Sequence, residues 1–68
     1  DGFGAAPPAD PDDADRRAVL DLLGGVAVPV DELIRQSGAA PAVVQMVLLE
    51  LELGGRLDRH AGGRVSLI

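Results

Sequence analysis

The single histidine, His60, is the one side chain here whose ordinary titration lies near neutral pH. To relay a proton or hold a metal it needs partners, and the 68 residues contain no second histidine and no cysteine. A thiolate metal site and a disulfide frame are both excluded. Ser37 and Ser66 have no base fixed beside them by spacing, so neither reads as a nucleophile. The pairs Gly24-Gly25, Gly54-Gly55 and Gly62-Gly63 form no phosphate-cradling motif. Asp12 and Asp13 have the position of helix-start residues, not of a paired-carboxylate site. The residues therefore predict no catalytic site, no metal site and no cofactor, and the chain is expected not to be an enzyme.

Binding chemistry remains. All six basic residues are arginines, and the net charge is −5. That charge is unevenly placed. Asp1, Asp10, Asp12, Asp13 and Asp15 crowd the first fifteen residues with no basic residue among them, whereas from Arg16 onward six arginines face six acids. The folding part is neutral, without the basic excess usual in nucleic-acid binders. The one locally basic place is the C-terminal stretch, where Arg56, Arg59 and Arg64 stand against Asp58 and His60 can add charge when protonated. Such a cluster can rest on phosphates. It is equally what an ordinary exposed hairpin carries to discourage edge pairing.

The elements that position these side chains follow from periodicity and punctuation. Residues 1–10 are rich in Gly, Ala and Pro, have little to bury and read as a flexible linker. Residues 11–68 then make one small domain. Pro11, Asp12 and Asp13 open a first helix, Ala18, Val19, Leu22 and Leu23 form its buried stripe, and Arg16, Arg17 and Asp21 face water. Gly24-Gly25 is expected to end it with a left-handed cap. Val26-Ala27-Val28 reads as a brief strand or an extended link. Pro29 to Glu32 starts a second helix with Leu33 and Ile34 inward, stopped by Gly38. Pro41 suits the first position of a third helix that runs to about Leu53 and stops at Gly54-Gly55. Arg56–His60 and Arg64–Ile68 are two strands joined through Ala61-Gly62-Gly63, with Leu57, Val65 and Leu67 inward. The fold class is mostly α with a small β-hairpin. It is a winged helix, in which a three-helix helix-turn-helix core carries a C-terminal wing.

The third helix is apolar on two sides. At 100° per residue, Val44, Val47, Leu48 and Leu51 make one stripe, which packs on the other helices. Ala42, Met46, Leu49 and Leu53 make a second stripe opposite, bordered by Gln45 and Glu52 on one edge and Val43 and Glu50 on the other. A duplex-reading helix would carry donors and cations there, and Gln45 is the only such residue. Three readings stand for the second stripe: the hairpin and linker cover it, a partner domain or second copy docks on it, or it reads a major groove. The candidate protein-contact residues are Ala42, Met46, Leu49 and Leu53; the candidate DNA-contact residues are Gln45, Arg56, Arg59 and Arg64.

The run Val30-Asp31-Glu32-Leu33, then Ser37-Gly38, then Val47 to Gly55 with its alternating Leu-Glu-Leu-Glu-Leu-Gly-Gly end, and finally Gly62-Gly63-Arg64, resembles the C-terminal winged-helix domain of the DNA-processing protein DprA, also called Smf. The resemblance covers about residues 16–68. The chain departs from that pattern at Val65, where the family usually carries Tyr, and at His60, where an aliphatic is common. The resemblance implies an accessory module of a bacterial cytoplasmic protein of natural transformation, one that binds incoming single-stranded DNA and helps load RecA. In that family the strand-binding work belongs to a larger Rossmann-like domain, none of whose motifs is present, and residues 1–10 would be the tether to it. The implied partners are the rest of the same protein or a second subunit, RecA through the full-length protein, and duplex DNA through the wing. A module of an unrelated transcription regulator is the remaining alternative. No apolar run approaches the roughly 20 residues that span a bilayer, and no membrane partner is expected.

Overall fold

The computed structural model describes residues 11–68, so the expected linker over 1–10 lies outside the described residues. Six elements follow one another: α1 (Asp13–Leu22), β1 (Val28–Pro29), α2 (Val30–Ser37), α3 (Pro41–Leu53), β2 (Leu57–His60) and β3 (Arg64–Leu67). Three helices and a small sheet make the winged-helix arrangement expected from the sequence.

α1 begins with a reciprocal cap. The Asp12 carboxylate accepts from the Asp15 amide at 2.8 Å, and the Asp12 amide donates back to the Asp15 carboxylate at 3.3 Å. Two otherwise unpartnered backbone donors are satisfied in this way, and both acids lie at the positive end of the helix. The other end departs from expectation. Leu23 caps the helix in an extended conformation, and neither Gly24 nor Gly25 is left-handed. The reason is tertiary. Extending at Leu23 keeps its side chain in the core and turns the Gly24 carbonyl to accept from the Leu67 amide of the sheet at 2.8 Å.

The other helix stops match their glycines. Gly38 ends α2 at φ +73°. After α3, Gly55 takes φ +72°, its amide donates to the Glu52 carbonyl, and the Arg56 amide donates to the Leu51 carbonyl. This double closure satisfies the last carbonyls of the helix and turns the chain into β2.

The sheet is larger than a lone hairpin. Its order is β1-β3-β2, all antiparallel, with β3 in the middle. Val28 pairs with Val65 and Pro29 with Arg64, so the short apolar run before α2 contributes a two-residue edge strand. Proline is tolerated there because an edge position needs no donor from it. Gly62 and Gly63, both left-handed, form the tip between β2 and β3, and the Gly63 carbonyl accepts from the Val30 amide at 2.9 Å.

One core joins the layers. It consists of Val19 and Leu23 from α1, Leu33 from α2, Val44, Val47, Leu48 and Leu51 from α3, and Leu57 and Val65 from the sheet. Ile34, Leu22 and Leu67 pack at its margin, half-buried. All four residues of the expected inner stripe of α3 are in this core, so the helix is held on one side from Val44 to Leu51.

Candidate functional site

Burial of the inner stripe leaves the second stripe of α3 turned outward. Ala42 is exposed, Met46 is half-buried, Leu49 is 43% exposed and Leu53 79% exposed. Gln45 is exposed on its edge. The face carries no cation, and aliphatic side chains occupy the places from which a reader would present donors.

The bordering acids are taken up within the chain. Arg16, expected in water, instead crosses from α1 to clasp Glu50: its Nε and one terminal nitrogen each donate to a carboxylate oxygen at 3.0 Å. A two-point guanidinium–carboxylate contact fixes orientation as well as charge. On the other edge, Arg59 of β2 donates from Nε to Glu52 at 3.0 Å. One arginine ties α1 to α3 and the other ties the wing to α3. Both contacts are half-exposed and individually weak, yet they leave the rim of the apolar face without an unpaired carboxylate.

The Arg16 contact marks the titration of its partner. Hydrogen bonds from Arg16 hold the Glu50 carboxyl below its usual range, and the guanidinium charge acts in the same direction against partial desolvation. A carboxylate with a lowered folded-state pKa contributes stability that is present above the unfolded value and lost as pH falls through the folded one. Thermal unfolding followed across about pH 3 to 5 should therefore show a stability rise that is shallower in Glu50→Gln than in the parent chain. Identical slopes would mean that the clasp does not persist in solution.

The wing is less basic than the sequence suggested. Pairing of Arg59 with Glu52 leaves Arg56 and Arg64 as its exposed cations without an ion pair among the described residues. Arg64 folds back toward the tip, its Nε donating to the Ala61 carbonyl at 3.3 Å. The strand register puts Asp58, His60, Arg64 and Ser66 on the sheet face opposite Leu57 and Val65.

On that face the structure corrects one expectation. Ser66 does have a base beside it, because its Oγ lies 2.8 Å from His60 Nε2. Strand pairing creates a proximity that six residues of sequence separation do not reveal. Asp58 approaches the same ring nitrogen at 4.0 Å. A nucleophilic relay needs the carboxylate on the other nitrogen and an open hydroxyl. Here both partners meet at Nε2 and Ser66 is buried, so the contact satisfies a buried hydroxyl. Elsewhere, a cleft of about 50 Å³ between α1, β1 and α2 is lined by Leu22, Val28, Glu32, Leu33 and Gln36. It is far smaller than the several hundred Å³ typical of a ligand pocket.

The pattern of the DprA winged helix domain matches residues 3–63. The chain belongs to the DprA winged-helix family. The resemblance read from the α3 end and the wing tip is thereby established, and this domain is a DprA-related module. The stretch matching the DprA pattern starts ahead of α1 and ends at the wing tip, so it contains the whole of α3 with both of its faces. No curated protein matches the chain. Among the described residues, no helix of this DprA winged helix is long and apolar enough to cross a membrane.

Sequence reasoning found the exposed apolar face and missed what frames it. Arg16 and Glu50 are 34 residues apart, and nothing in their local sequence links them. For Arg59 and Glu52 the only available signal was opposite charge on the two sides of one glycine turn.

Proposed function

We propose that this domain is the accessory winged-helix module of a DprA-like protein in bacterial natural transformation and that it works by protein contact through Ala42, Met46, Leu49 and Leu53. It would be a non-enzymatic cytoplasmic module, serving a full-length protein that handles incoming single-stranded DNA and loads RecA. Its direct partner would be the rest of that protein or a second subunit. The observation that carries the reading is the outer face of α3. It exposes Leu49 and Leu53, bears no cation, and has its two border acids neutralised by Arg16 and Arg59. Such a face gains by leaving water and offers phosphate no cation.

The rival is a duplex binder that uses Gln45 with the wing arginines Arg56, Arg59 and Arg64. It is weakened by the engagement of Arg59 with Glu52. NMR titration of the chain with duplex and with single-stranded DNA, at two salt concentrations, separates the two. Protein contact predicts amide shifts no larger than nonspecific charge produces, with none at Met46 or Leu49. Salt-sensitive shifts concentrated at Arg56, Arg59 and Arg64 would favour the rival, because phosphate contacts release counterions.

A further inference from the structure

We draw no further inference here: the strongest candidate, the outward apolar stripe of α3 formed by Ala42, Met46, Leu49 and Leu53, is the face already assigned to protein contact, and nothing in the structure shows what covers it.

Discussion

Leu48→Ala abolishes the cooperative unfolding transition of this domain or moves it far down in temperature. Leu48 is completely buried at the centre of α3, within the one core that joins helices and sheet. Truncating a buried leucine costs about 2–5 kcal/mol, the larger values arising where neighbours cannot collapse into the space. A domain of this size has roughly 3–9 kcal/mol of stability in total. One substitution thus removes a large share of it, and at the upper end all of it. Urea denaturation followed by circular dichroism measures the effect. A loss below about 1 kcal/mol would show that α3 does not sit on the other elements through this stripe.

The adjacent substitution, Leu49→Glu, should do the opposite. Residue 49 lies 100° further round the same helix, in the outward stripe, and is 43% exposed. Glutamate is a good helix former, so the fold should lose about 1 kcal/mol or less. Association through the outer face should fall by at least about tenfold, because a carboxylate replaces an apolar contact in a desolvated seam. Two measurements on one substitution decide the matter: a melting curve of the domain close to the parent's, and loss of docking of the domain in the full-length protein. If Leu49→Glu unfolds the chain as Leu48→Ala does, the second stripe is core and no docking face exists.

These adjacent residues also show what was readable in the sequence. Helical periodicity sorted Val44, Val47, Leu48 and Leu51 from Ala42, Met46, Leu49 and Leu53, and the structure buries the first set and turns the second outward. Gly38, Gly55, Gly62 and Gly63 fall at left-handed positions in the turns assigned to them. Gly24 and Gly25 look the same in sequence and are not left-handed, because burial of Leu23 and the bond to Leu67 decide the exit from α1.

By itself, the sequence determined the helices, the stops of α2 and α3, the hairpin tip, the two-sided character of α3 and the DprA resemblance. All of these depend on residues within a turn or two of one another, where backbone sterics and side-chain spacing act directly. Only the tertiary structure decided that Arg16 reaches Glu50, that Arg59 reaches Glu52 and leaves the wing less basic, that His60 closes over Ser66, and that Val28 adds a third strand. Those contacts join elements whose relative placement is set by core packing. Each contributes little energy of its own, so none imposes a pattern on the local sequence from which it could have been read.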